Sequence, residues 1–273
     1  MALSEIASRG LVLLGCGKMG SALLEGWLAR GIPPGAFTVL DPAPGPRLEV
    51  LSGEGLNLNG ELPARPAVAL LAVKPQMMGA ALPRLAALGN GDTLFLSIAA
   101  GTPIATLEAA LGARTPIVRA MPNTPAAIGR GITALIGNSR VDAGRMALAE
   151  ALMQAVGPTV TLESEHQMDA VTAVSGSGPA YVFLMIEALS DAAEAEGLPA
   201  DLARRLARAT VTGAAALADA APEEPGQLRV NVTSPGGTTA AALEVLMHEE
   251  AGLGPLLREA VNAAARRSRE LAR

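Results

Sequence analysis

The sequence predicts an α/β fold in which an N-terminal, doubly wound parallel sheet is followed by an all-helical second half. Three observations carry this. Short, continuously aliphatic runs alternate with helical stretches through the first half, as strands buried on both faces by crossover helices do. A glycine-rich turn follows the first of those runs and opens a helix. After Glu163 no strand-like run recurs and Ala-rich segments of helical period take over. The expected division is residues 1–163 and residues 164–273.

Taken in order, Leu11–Leu14, Phe37–Leu40, Val68–Val73, Thr93–Ile98 and Pro116–Ala120 read as strands bounded by Gly, Pro, Asp and Asn. Lys18–Arg30 and Gln76–Leu88 read as helices between them, and Ile132–Ile136 and Pro158–Leu162 extend the sheet at one edge. In the second half, Val182, Met185, Ile186 and Leu189 fall on one helical face, with Glu187, Asp191 and Glu194 on the other. Gly197 ends that helix and Pro199 starts the next. Asp201–Ala220 and Pro255–Arg273 read as further helices, with the loop-like Ala220–Gly226 between them. The basic end of the chain suits the dipole of a last helical turn.

Composition narrows the function. Of 273 residues, 50% are apolar, enough for a sizeable core, and the net charge of −5 argues against a nucleic-acid partner. Only Trp27, Phe37, Phe95, Tyr181 and Phe183 are aromatic, so a base-stacking platform is not expected. A single cysteine, Cys16, fits a reducing, cytoplasmic setting. No apolar run reaches the roughly 18 residues of a membrane span, so no membrane partner is expected. The two histidines, His166 and His248, have no ligand-like spacing, and no metal site is expected.

The turn after the first strand is Gly15-Cys16-Gly17-Lys18-Met19-Gly20. Its glycines permit a tight turn, close approach of a pyrophosphate and close helix packing, the dinucleotide fingerprint of a Rossmann-type sheet. Asp41 ends the second strand, where a carboxylate accepts from ribose hydroxyls and repels a 2′-phosphate. It therefore leans toward NADH over NADPH. Ligands of such sheets lie at the carboxyl ends of strands. That adds Ala72, Val73, Lys74 and Pro75, then Ala99, Ala100 and Gly101, then Asn123, whose turn lies near the expected nicotinamide.

Two loops of the helical half are rich in small hydroxyl residues: Thr172–Tyr181, and the segment VTSPGGTT from Val232. The second precedes a helix, whose free N–H groups and dipole suit a small anion. With GCGKMG, AVKPQ, AAG, MPNTPA, VSGSGPAY, GLP and VTSPGGTT in this order, the chain resembles the pyrroline-5-carboxylate reductase family over essentially its whole length. The resemblance implies a Rossmann domain followed by an all-α dimerisation domain, in an intertwined homodimer or larger ring. It implies NAD(P)H-dependent reduction of Δ1-pyrroline-5-carboxylate to proline. It makes Ser234, Gly236, Gly237, Thr238 and Thr239 the holders of the substrate carboxylate, and Thr172 the hydroxyl near the ring nitrogen. Val230 stands where the family commonly has an acidic residue, and Glu223 and Glu224 are the nearest carboxylates for the substrate amine. A β-hydroxyacid dehydrogenase would need a lysine in the helical half. The only lysines, Lys18 and Lys74, are in the first. A non-enzymatic redox sensor would not need the hydroxyl-rich anion loop.

Overall fold

The computed structural model describes residues 2–271, with side chains from Ser4 onward. The chain opens with α1 (Ala2–Arg9), β1 (Leu11–Leu14), α2 (Lys18–Ala29), β2 (Phe37–Leu40), α3 (Pro46–Gly53) and β3 (Asn57–Leu58). Next come β4 (Val68–Leu71), α4 (Met78–Ala81), β5 (Leu94–Ser97), α5 (Ile104–Leu111), β6 (Ile117–Met121), β7 (Thr133–Gly137), α6 (Ala143–Met153) and β8 (Thr159–Thr161). The helical part holds α7 (Met168–Val171), α8 (Gly178–Ala195), α9 (Ala200–Ala220), α10 (Pro225–Asn231), α11 (Thr238–Leu246) and α12 (Leu253–Leu271).

The strands form one sheet in the order β3-β2-β1-β4-β5-β6-β7-β8. The first six follow the dinucleotide-binding order, with its switch point between β1 and β4. All neighbours are parallel except β6 and β7, which pair antiparallel from Val118–Gly137 to Met121–Ala134. The aliphatic strands are continuous because both faces are covered. Leu11, Leu13, Val68 and Leu70 enter one core cluster, while Val12, Leu14, Ala69 and Leu71 enter the other. Trp27 of α2 stacks on Phe37 with ring centroids 5.8 Å apart, and its indole N–H donates to the Leu152 carbonyl at 2.8 Å.

The expected strands form, several shortened at their ends; the small edge strand β3 and the helices α1, α3, α5 and α6 are additional. Gln76–Leu88 is not one helix. It breaks into a 3₁₀ turn at Pro75–Met77, the single turn α4 and a 3₁₀ run at Leu82–Leu88. Pro83 supplies no N–H and crowds the preceding turn, which is reason enough. Helix α10 begins at Pro225, inside the stretch expected to be a loop, with proline at a position where its missing N–H costs nothing. The last two residues of the expected Pro255–Arg273 helix lie outside the described residues.

The chain divides into two compact units, one of residues up to 176 with those from 264 on, the other Ser177–Ala263. The sheet unit thus keeps α7 and the turn after it, which follow the break expected after Glu163. Among the described residues no helix is long and apolar enough to cross a membrane.

Candidate active site

β1 ends at Leu14, and the Gly15 N–H donates to the Leu40 carbonyl at 2.9 Å, so the turn starts flush with the sheet. Gly15 has φ +83°, and a Cβ there would stand 2.8 Å from Val73 Cγ1 and 3.1 Å from the Ala72 carbonyl oxygen. Gly20 lies as close to the turn: its Cβ would meet the Gly15 carbonyl oxygen at 2.9 Å. Gly17 differs, because nothing lies within 4 Å of a Cβ placed there. It is the residue before α2, and no side chain caps that helix. The first N–H groups of α2 therefore face an open space bounded by bare backbone, which fits a pyrophosphate.

Cys16 and Asp41 meet across the turn. The Cys16 N–H donates to Asp41 Oδ2 at 2.7 Å, and the Ala43 N–H donates to Asp41 Oδ1 at 2.9 Å. Asn59 holds the backbone of the same residue. Its side-chain oxygen accepts the Asp41 N–H at 2.9 Å, and its side-chain NH₂ donates to the Asp41 carbonyl at 2.7 Å. Asn59 adopts φ +55°, a left-handed conformation that asparagine tolerates, and has no local sequence signal for this role. Arg47, the nearest cation after Asp41, is turned onto Glu25 with contacts of 2.7 and 3.2 Å. Burial pushes the Cys16 thiol above its ordinary pKa; the Ser21 hydroxyl pulls the other way, and the Asp41 and Glu25 carboxylates add to the rise.

The other expected residues of the sheet unit lie at carboxyl ends of strands. Ala72 and Val73 are half-buried after β4, with Lys74 and Pro75 exposed, while Ala99 and Gly101 are buried after β5. Gly101 has φ +68°. Asn123 follows β6, and its side-chain oxygen accepts the Ile132 N–H at 2.9 Å, so this side chain fixes the turn. Thr172 begins a π-helical turn, Thr172–Gly176, and its hydroxyl donates to the Met168 carbonyl at 2.8 Å. A Cβ on Gly176 would stand 2.6 Å from Met121 Cε, so the π turn lies against the end of β6.

The helical unit carries the second hydroxyl-rich loop. Gly236 has φ +68°, and the Gly237 N–H closes a turn onto the Ser234 carbonyl at 3.0 Å. Gly237 precedes α11 with no side-chain cap, leaving the first N–H groups of Thr238 and Thr239 beside their own hydroxyls. Ser234, Gly236 and Thr238 are exposed, and Gly237 and Thr239 are half-buried. No cluster of three or more metal-ligating side chains occurs among the described residues.

Comparison with known proteins meets this geometry from both ends. Residues 165–271 match the model for pyrroline-5-carboxylate reductase dimerisation, and residues 10–101 match the model for coenzyme F420-dependent NADP oxidoreductases. The pyrroline-5-carboxylate reductase of Pseudomonas aeruginosa is 42% identical over 265 residues, 96% of each chain. The chain belongs to the pyrroline-5-carboxylate reductase family. It is thus an oxidoreductase that uses a nicotinamide cofactor and associates with itself. A Synechocystis family member is 48% identical over 75% of this chain and 74% of its own. A solved Coxiella burnetii pyrroline-5-carboxylate reductase superposes with a TM-score of 0.88 at 36% identity, covering 97% of this chain and 99% of that one. The Plasmodium falciparum enzyme, solved with NADP bound, superposes with a TM-score of 0.83 at 30% identity, over 97% of this chain and 98% of its own.

Proposed function

We propose that the chain reduces the protonated cyclic imine Δ1-pyrroline-5-carboxylate to L-proline, the last step of proline biosynthesis, as a cytoplasmic homodimer or larger ring. The observation that carries the reading is the bare-backbone cradle of Gly15, Gly17 and Gly20 before α2, in a chain that also holds the hydroxyl-rich turn before α11. The nicotinamide cofactor supplies hydride to the imine carbon. The Gly15–Gly20 turn, with Cys16, Lys18 and Met19, holds its pyrophosphate, and Ala72–Pro75, Ala99–Gly101 and Asn123 flank the nicotinamide side. Ser234, Gly236, Gly237, Thr238 and Thr239 hold the substrate carboxylate with backbone N–H groups and hydroxyls. Thr172 gives its hydroxyl hydrogen to Met168, so toward the substrate its oxygen accepts, as a protonated ring nitrogen requires. The imine enters already electrophilic, and the residues need mainly to position it.

Asp41 sets the cofactor preference in this reading. Both of its oxygens are engaged by N–H groups, which opposes rotation away from the ribose, and Arg47 is occupied by Glu25. Two charges about 4 Å apart at an effective dielectric near 20 repel by about 4 kcal/mol, and salt and solvent reduce this. Even about 1.4 kcal/mol is tenfold in affinity. NADH is then used at least as well as NADPH, and Asp41→Ser lowers the KM for NADPH by about tenfold while raising that for NADH.

The activity is tested by imine-dependent loss of NAD(P)H absorbance with the purified protein; no loss with either cofactor refutes it. Strong preference for NADPH in the wild type, with both constants unmoved by Asp41→Ser, refutes the role of Asp41 alone.

A further inference from the structure

One ion pair of the sheet unit takes no part in the chemistry above. Arg119 of β6 is only 5% exposed, and its guanidinium donates to Glu165 Oε1 at 2.8 Å. A buried cation is costly unless paired, so this carboxylate holds the arginine in place. The same Glu165 oxygen accepts the Ile104 N–H at 2.9 Å. Ile104 is the first residue of α5, and the capping position before it is Pro103, which has no side-chain acceptor. Glu165 thus supplies from elsewhere in the chain the cap that the local sequence omits.

The loop ahead of α5 is Ala99–Thr102. Ala99, Gly101 and Thr102 are buried, Gly101 is left-handed, and the Ala99 N–H reaches the Ser97 hydroxyl at 3.4 Å. Its downstream anchor is the capped start of α5. Glu165 is itself fixed. It opens a 3₁₀ turn with a reciprocal capping box between Ser164 and Gln167, and that turn runs into α7 and Thr172. One carboxylate therefore ties together the strand leading to Asn123, the loop after β5 and the segment that carries Thr172.

We infer that Glu165 is a positioning residue for the cofactor: braced by Arg119, it fixes the height at which the Ala99–Thr102 loop meets the nicotinamide nucleotide. This rests on the reading of that loop as part of the cofactor site. A brace with no such role would affect folding alone.

The test is NADH binding by fluorescence titration, with steady-state kinetics and thermal melting, on the full chain. Glu165→Ala is expected to raise the Kd and KM for NADH about tenfold, with kcat at saturating NADH and the KM for pyrroline-5-carboxylate within about twofold of wild type. Arg119→Met is expected to do the same, and the double variant no more than either. Glu165→Gln keeps an acceptor oxygen and is expected to recover most of the loss, to about threefold. A lowered melting temperature with a wild-type Kd for NADH in Glu165→Ala overturns the inference. If Glu165→Ala does not fold, Glu165→Gln decides: a Kd raised about threefold supports the inference, and a wild-type Kd overturns it. A wild type that binds NADH but does not oxidise it with the imine would refute the proposed activity and leave this comparison intact.

Discussion

The two compact units bury their apolar residues by different means. In the sheet unit the strand residues from Leu11 to Leu14 and from Val68 to Leu71 are covered on both faces within one chain. In Ser177–Ala263 the buried residues are Ser190, Ala203, Ala207 and Gly252, all small or polar. Large apolar side chains of that unit stand in the open: Phe183 is 60% exposed and Leu184 63%, with Met185, Leu189, Leu202 and Leu206 also exposed. Monomeric proteins rarely leave large apolar patches to water. The difference teaches that a helical period in sequence marks a face to be buried and not what buries it. The dimerisation match over residues 165–271 makes a second copy the expected cover for α8 and α9.

The largest expected effect comes from breaking the open unit. Phe183→Asp replaces an apolar contact worth about 2–3 kcal/mol with a charge that must be desolvated. The association constant is expected to fall by about a hundredfold or more, read as monomer by sedimentation velocity at micromolar concentration. A Phe183→Asp protein that stays fully dimeric would place the interface on another face of the unit.

A matched pair of truncations sharpens the contrast. Leu13→Ala, at a fully buried strand position, is expected to cost about 2–5 kcal/mol, measured by denaturant unfolding and independent of protein concentration. Leu184→Ala is expected to cost about 1–2 kcal/mol, in a form that fades on dilution, if a second copy covers that exposed side chain. Equal and concentration-independent losses would mean that both units close their cores within one chain.

The smallest expected effect is at Cys16. Its thiol pKa is raised, so at pH 8 less of it is thiolate than in a free cysteine, and alkylation by iodoacetamide is expected to be a few-fold slower than for a free thiol. The rate should still be climbing at a pH where free cysteine has levelled off. A pH profile centred below that of free cysteine contradicts burial as the dominant influence.

Most of the sheet was legible because its strands are aliphatic without interruption, a pattern that only burial on both faces produces. The glycine turn could be placed from sequence because a strand end, a turn and a helix start fall within one short stretch, and Asp41 because it follows directly on the second aliphatic strand. Other features lacked such a signal. Gln76–Leu88 has the composition of a helix, and only Pro83 warns of the break. The extension of the sheet at one edge by Ile132–Ile136 was foreseeable, but not the direction of that strand, which the structure shows to be antiparallel to β6. Asn59 and Glu165 work on residues far away in sequence, and an asparagine after a strand or a glutamate beside a serine is common in any loop. The exposure of α8 was foreseeable through the family resemblance, which implied an intertwined homodimer; the residue pattern by itself is the same whether the covering surface belongs to the same chain or to a copy.

The sheet ends in a two-residue strand, Asn57–Leu58, on one side and a three-residue strand, Thr159–Thr161, on the other. Beyond the first, the Asn59 amide takes the place of a further strand residue by bonding both backbone groups of Asp41. Neither margin offers a long row of free peptide groups to a neighbouring molecule. A chain that exposes Phe183 and Leu184 is at risk of sticking to the wrong surface. With its sheet margins short, the folded chain offers little for strand-to-strand pairing, and contacts between folded chains fall to exposed helix faces such as that of α8.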